Sequence, residues 1–105
     1  YLSDHGVEVL ATAGLSLDTS LEEIQKISRV PPADVFTHAC SVDHRDAEAL
    51  LICCTDFNTF DSIEPLEAKL KKPVISSNSA TLWHSLRDAG ISDPIQGLGR
   101  LLQYH

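Results

Sequence analysis

The order of apolar and polar segments in this 105-residue chain predicts an α/β fold with a parallel sheet. Short apolar runs alternate with amphipathic helical patterns, which is typical of parallel strands joined by right-handed crossover helices. The run Leu50–Cys54 is continuously apolar, as expected of a strand that is buried on both faces of its sheet. The length suffices for one small domain with one core, so we predict a single three-layer, Rossmann-like α/β domain over residues 1–105.

The first segment, Tyr1–Gly6, has the pattern of a last helical turn that is closed by a left-handed glycine. The chain contains no methionine, and the body of that helix would precede Tyr1. We therefore expect the chain to be part of a longer protein. Val7–Thr12 follows as a β-rich run and predicts a strand that ends in a turn at Ala13 and Gly14.

Two helices and a second strand are predicted next. Asp18, Thr19 or Ser20 would cap the first helix, and Pro31-Pro32 would end it and start the second. The apolar residues at helical spacing are Leu21, Ile24 and Ile27 in the first helix and Val35, Phe36, Ala39 and Cys40 in the second. A charged loop, residues 43–46, would then lead into a strand over Ala49–Cys54.

The rest of the chain predicts a helix that starts near Asp61, with Pro65 in or near its first turn, and a short strand over Pro73–Ser76. Ser77-Asn78-Ser79 would cap a further helix, which Gly90 ends. The basic residues at the negative end of the first of these helices are Lys69, Lys71 and Lys72. The residues expected to face inward are Ile63, Leu66 and Leu70, then Leu82, Trp83 and Leu86, and finally Ile95, Leu98, Leu101 and Leu102 in a helical tail.

Composition excludes several classes of partner. The net charge is −7 and there is no basic run, which argues against binding to nucleic acid. No apolar stretch is long enough to span a membrane, and no signal peptide is recognisable. The three cysteines show no C-x-x-C spacing, and no histidine spacing is that of a metal site. Reduced thiols in a cytoplasmic protein are the simplest account of the cysteines.

Cys54 is the main candidate for chemistry. It follows the predicted strand at its carboxyl end, where ligands bind in open α/β sheets. Ser77 and Asn78 follow the next strand and open a helix, and helix N-termini offer free N–H groups that suit a carboxylate. A cysteine in such a place can be held as a thiolate. The pattern suggests proton transfer or addition at a carbon beside a carboxylate.

Structural roles are the alternative for the same residues. Buried cysteines are often simple small hydrophobic residues, and Cys40 is expected in the core. Strand alternation would turn Cys53 into the layer opposite to Cys54. His84 is expected to be a partly buried structural residue, because no local signature supports a Cys–His pair for catalysis. The Gly97-x-Gly99 pair lacks the context of a dinucleotide motif.

Four segments together resemble the Asp/Glu racemase superfamily, in its maleate isomerase and arylmalonate decarboxylase branch. The resemblance covers about residues 7–102. The segments are Leu50-Leu51-Ile52-Cys53-Cys54-Thr55-Asp56-Phe57-Asn58-Thr59, Ile63-Glu64-Pro65-Leu66-Glu67, Lys72-Pro73-Val74-Ile75-Ser76-Ser77-Asn78-Ser79-Ala80-Thr81-Leu82-Trp83-His84 and Gly97-Leu98-Gly99-Arg100-Leu101-Leu102.

The resemblance implies half of a pseudo-twofold enzyme. Members have two α/β halves with the site between them, one cysteine from each half, and no cofactor or metal. This chain resembles the second half, so the implied partners are a missing N-terminal half and further copies in a homo-oligomer. Cys54 matches the catalytic cysteine and Thr55 the residue whose N–H holds the substrate carboxylate. Cys53 stands where Ser or another small residue is usual.

The implied function is a cofactor-independent, cysteine-based isomerase, racemase or decarboxylase that acts beside a carboxylate of a small dicarboxylate. Maleate cis-trans isomerisation is the first expectation, and the substrate-binding residues would be Thr55, Asp56, Ser77 and Asn78. Arylmalonate decarboxylation and a non-catalytic ligand-binding or assembly domain are the alternatives, followed by a Cys–His hydrolase. The cysteine of the first half is absent. The segment of residues 16–25 is longer than in relatives, so no substrate contact is assigned there.

Overall fold

The computed structural model describes residues 1–15, 20 and 26–105. Its regular elements are α1 (Pro32–Val42), β1 (Leu50–Ile52), α2 (Phe60–Leu70), β2 (Val74–Ser76), α3 (Ser77–Asp88) and α4 (Arg100–Tyr104), with single 3₁₀ turns at Ser3–His5 and Ile27–Arg29. In the described part of the chain the sheet has two strands, and these run parallel. The predicted α/β fold with a parallel sheet is confirmed.

The core lies between the sheet and the first two helices. Leu50 pairs with Val74 in register and both are buried. Ile63 and Leu66, one turn apart on α2, are fully buried against them, and Ala39 joins from α1. This spacing is that of the predicted helical faces, which are confirmed for both helices. Cys40 is half-buried against the same cluster.

A buried carboxylate joins three elements beneath the core. Glu67, only 7% exposed, accepts hydrogen bonds from the N–H of Val74 and the N–H of Arg100, each at 3.0 Å. It thereby attaches α2 to the first residue of β2 and to the first residue of α4. Gly99 lies so close that a Cβ there would collide with Cγ2 of Ile63, and its φ of +88° is in the left-handed region. Only glycine suits both demands.

An ion pair connects the loop before β1 to the loop before β2. Lys72 Nζ lies 2.8 Å from Asp43 Oδ1 and also donates to the carbonyl of His44 at 2.8 Å. The predicted charged loop between α1 and β1 is therefore attached to the segment that leads into β2. Lys72 is only 12% exposed in its side chain, so the contact is better shielded from solvent than a typical surface pair.

The strand predicted over Val7–Thr12 is wrong. These residues have no strand partner in the described part of the chain, and Val7, Val9 and Leu10 are 48%, 50% and 40% exposed. A β-rich sequence forms a strand only when a neighbour satisfies its N–H and C=O groups. The helix expected around Leu21 and Ile24 lies outside the described residues, and Ile27 belongs to a 3₁₀ turn.

Several predicted boundaries shift. The strand expected over Ala49–Cys54 forms only over Leu50–Ile52. The helix α2 begins at Phe60, close to the predicted Asp61, and Pro65 lies in its second turn. In the tail, Ile95 and Leu98 precede α4, and Ile95 is held instead by an N–H bond to the carbonyl of Leu102 at 2.9 Å. No helix among the described residues is long and apolar enough to cross a membrane.

Candidate functional site

Cys54 lies just beyond the carboxyl end of β1, with its side chain exposed to solvent. Its φ is +106°, one of two positive values for non-glycine residues in the described part of the chain. A side chain in this region is strained by about 1–3 kcal/mol, and such strain concentrates at functional sites. The backbone therefore turns sharply at the residue that carries the thiol.

The first residue of α3 holds the N–H of Cys54. Ser77 Oγ accepts from that N–H at 3.3 Å. The parallel register explains the meeting: Ile52 pairs with Ser76, so the residues that follow each strand emerge at one edge of the sheet. The segments that follow β1 and β2 therefore lie together, as predicted. Their roles in binding stay predictions.

Asn78 holds the loop between Cys54 and α2. Its Nδ2 donates to the carbonyl of Thr55 at 3.0 Å and to that of Phe57 at 3.3 Å. The Phe57 N–H closes the turn on the carbonyl of Cys54 at 3.3 Å, and the Phe57 side chain is buried. The turn is consequently fixed by both main-chain and side-chain contacts.

The start of α3 is itself rigid. Ser76 Oγ accepts from the N–H of Ser79 at 3.1 Å, and Ser79 Oγ accepts from the N–H of Ser76 at 2.9 Å. This reciprocal capping box is buried. The N-cap is thus Ser76, one residue before the predicted Ser77-Asn78-Ser79 group, which leaves Ser77 and Asn78 free to contact the Cys54 loop.

The loop presents N–H groups without acceptors. In the part of the chain that the structure describes, the N–H groups of Thr55 and Asp56 make no hydrogen bond. They precede α2, whose N-terminus adds a positive dipole end. The Asp56 side chain is exposed and negatively charged, so only its N–H suits an anion. Thr59, the N-cap of α2, is fully buried, and its Oγ1 has no partner among the described residues.

An apolar cleft of about 300 Å³ opens beside the cysteines. Its described walls come from residues 12–15, α1 and β1, and they include Val35, Leu50, Cys53 and Cys54. Both cysteines border this cleft, and the layer into which the Cys53 side chain turns stays a prediction.

His38 also lines the cleft, which its sequence context did not predict. It lies half-buried on α1 and lines the cleft with Val35 and Val42. The sequence signal for this position is its spacing from Val35 and Val42, which places His38 on the same face of the helix as those two residues. His84, in contrast, lies on an exposed face of α3, with Nε2 3.5 Å from Asp88. The expected partial burial of His84 is wrong, and no contact between it and Cys54 occurs among the described residues.

Across residues 1–15, 20 and 26–105, no three His, Cys, Asp or Glu side chains form a group that could hold a metal ion. All three cysteines are free thiols. The chemistry that the described site offers is therefore a solvent-accessible thiol next to unpaired main-chain donors.

A family model described as arylmalonate decarboxylase matches residues 1–102. The chain belongs to the arylmalonate decarboxylase family. The resemblance predicted from the four sequence segments is confirmed. The maleate isomerase of Alcaligenes faecalis is 21% identical over 103 residues, which is 97% of this chain and 39% of that relative.

Solved structures of arylmalonate decarboxylase share the fold. A crystal structure aligns with a TM-score of 0.79 and 26% identity, covering 96% of this chain and 44% of that chain. A glycine-to-cysteine mutant in a sulfate-associated form aligns with a TM-score of 0.83 and 25% identity over 96% of this chain and 43% of that chain. The chain thus spans less than half the length of these relatives, which are isomerase and decarboxylase enzymes.

Proposed function

We propose that this arylmalonate decarboxylase family chain carries one half of the active site of a cofactor-independent enzyme that acts on a small dicarboxylate. Cys54 is the catalytic group and works at the carbon next to a carboxylate. The reaction proposed first is the cis-trans isomerisation of maleate. The observation that carries the proposal is the exposed Cys54 thiol on a left-handed backbone. It directly precedes main-chain N–H groups that have no acceptor among the described residues.

In the isomerisation, the thiolate adds to one alkene carbon and forms a C–S bond. The electron pair of the double bond moves toward the neighbouring carboxylate, so the former double bond becomes a single bond and can rotate. Elimination of the thiolate then restores the double bond in the trans form, with no net change of atoms. Main-chain donors that meet the developing negative charge lower this barrier, because they are oriented before the reaction.

Decarboxylation of an arylmalonate is the second candidate. The family model and the solved neighbours carry that name, and the cleft beside Cys54 is lined mostly by apolar residues. There, a C–C bond breaks, CO₂ leaves with its oxygens, and the electron pair remains on an enediolate. The Cys54 thiol would then donate its proton to the carbon. Both reactions need the same thiol and the same donors.

The whole site requires the rest of the protein. The chain spans 39% of the maleate isomerase it matches, and an active site between two halves would need the second half to exclude water and to complete the donors. We propose the missing N-terminal half and a homo-oligomer as its partners. A cytoplasmic location fits the three free cysteines, and cell fractionation that finds the protein outside the cytoplasm would contradict it.

The test uses the longer protein that contains this chain, incubated with maleate and separately with arylmalonates. We expect turnover of one of them without added metal or cofactor, inactivation by N-ethylmaleimide, and protection by a dicarboxylate. Mass spectrometry should place the adduct on Cys54. Cys40→Ser is the matched control and should keep its activity, because Cys40 packs on α1 against the core. Dicarboxylate binding without any turnover would instead support a non-catalytic ligand-binding domain.

A further inference from the structure

One side chain holds the Cys54 loop at two points. Asn78 is half-buried in the first turn of α3, and its Nδ2 donates to the Thr55 carbonyl at 3.0 Å and to the Phe57 carbonyl at 3.3 Å. The two hydrogens of that amide are therefore both engaged by the main chain. That amide is not free to donate to a substrate while both bonds hold.

These two bonds also set the direction of two N–H groups. A trans peptide unit is planar, and its C=O and N–H point in opposite directions; no described peptide bond is cis. Because the Thr55 carbonyl points at Asn78, the Asp56 N–H points away from α3. The Phe57 carbonyl also points at Asn78, so the Asn58 N–H likewise points away from α3. Neither N–H has an acceptor within the described part of the chain.

The N–H of Cys54 differs from both. It already donates to Ser77 Oγ at 3.3 Å and is unavailable to a ligand while that bond holds. The Cys54 carbonyl accepts from Phe57, which fixes the peptide unit that carries the Thr55 N–H. The loop therefore offers oriented donors on one side, and contacts from α3 occupy the other.

We infer that Asn78 is a positioning residue. Its side-chain amide turns the N–H groups of Asp56 and Asn58 outward, next to the Cys54 thiol, where they receive a substrate carboxylate. The inference rests on the proposed function for the identity of the anion. It goes further by assigning the orientation of the donors to one residue outside the reacting groups.

The alkylation of Cys54 provides a probe. Iodoacetate carries a carboxylate on the carbon that reacts: the thiolate forms a C–S bond to it and iodide leaves. Iodoacetamide has the same shape without the charge. The chain has a net charge of −7, which repels an anionic reagent from an ordinary surface thiol. The ratio of the iodoacetate to the iodoacetamide rate constant therefore reports the local donors at Cys54.

The measurement uses this chain with Cys40→Ser and Cys53→Ser, so that Cys54 is its only thiol. Asn78→Ala should lower the ratio about tenfold, the effect of losing one aligned hydrogen bond to a charged group. Asn78→Asp has the same size but sets carboxylate oxygens against the two carbonyls, so it should lower the ratio at least as far. Ser85→Ala, on the same helix α3, removes only a hydrogen bond to the Thr81 carbonyl and is the matched control with an unchanged ratio.

A second measurement needs no variant. In the unmodified chain, titration with malonate should shift the NMR signals of the Asp56 and Asn58 amides more than that of the Cys54 amide. An unchanged ratio in folded Asn78→Ala, or malonate shifts centred elsewhere, overturns the inference. Should Asn78→Ala unfold by circular dichroism, the malonate titration decides alone. Absence of turnover in the longer protein together with a lowered ratio would reject the proposed function and leave the positioning role intact.

Discussion

The N–H of Cys54 donates to Oγ of Ser77, a residue that lies 23 positions later in the chain and 3.3 Å away. The thiol-bearing residue at the end of β1 is thus attached to the first residue of α3. The position of the thiol depends on the pairing of β1 with β2, because that pairing brings the two residues to one edge of the sheet. Changes in β2 should consequently affect the reactivity of Cys54.

Cys54 rather than Cys53 should carry the chemistry. In the longer protein, Cys54→Ala should reduce turnover by at least about 10²-fold, the lower end for a group that transfers a proton, and by more if the thiolate forms a covalent bond to the substrate. Cys53→Ala should cost far less, although both residues border the same cleft. Steady-state rates on the accepted substrate give the comparison. An inactive Cys53→Ala beside an active Cys54→Ala would reverse the assignment.

The backbone at Cys54 should make glycine more stable there than alanine. Both substitutions remove the thiol, but only glycine adopts a φ of +106° without steric cost. We expect Cys54→Gly to exceed Cys54→Ala in free energy of unfolding by about 1 kcal/mol. Urea titrations followed by circular dichroism measure the difference. Equal midpoints with equal slopes would mean that the left-handed turn is absent in solution.

Removal of the Glu67 carboxylate should strongly destabilise the domain. Glu67→Ala leaves the N–H groups of Val74 and Arg100 without their acceptor, at an expected cost of about 2–4 kcal/mol. Glu67→Gln retains one carbonyl oxygen and should lose about half as much. Chemical denaturation of both variants tests the order. A Glu67→Gln variant less stable than Glu67→Ala would contradict the hydrogen-bond explanation.

Gly99 should tolerate no side chain. Gly99→Ala places a methyl group against Cγ2 of Ile63 and imposes a φ of +88° on a residue with a Cβ, for an expected loss of about 2–3 kcal/mol. In the Ile63→Ala background the collision disappears, so the added cost of Gly99→Ala should fall to the backbone part alone. A double-mutant cycle by thermal unfolding measures this coupling. Strict additivity would place Ile63 away from Gly99.

The isolated chain should self-associate and show little or no turnover. Val7, Val9 and Leu10 are about half exposed, as is Leu51 on β1, and β1 has a single strand neighbour in the described part of the chain. Exposed apolar residues next to a free strand edge favour association. Sedimentation velocity should show a dimer that Leu51→Glu weakens. Robust turnover by a monomer would mean that one half holds a complete site.

The sequence alone predicted what depends on short-range pattern. Helical spacing identified the faces that bury Ile63, Leu66 and Ala39, and the apolar run before Cys54 identified the strand that precedes the thiol. These follow from local periodicity, because a helix or strand of fixed repeat presents the same residues to the core wherever it packs. The family was recognisable for the same reason, since its motifs are contiguous.

The tertiary structure decided what depends on partners distant in sequence. Val7–Thr12 has the residues of a strand but finds no strand neighbour among residues 1–15, 20 and 26–105. The Asn78 side-chain amide donates to the carbonyls of Thr55 and Phe57, which lie 23 and 21 residues earlier. No local pattern encodes these outcomes: a hydrogen-bonding group takes whichever partner the packed elements bring within about 3 Å.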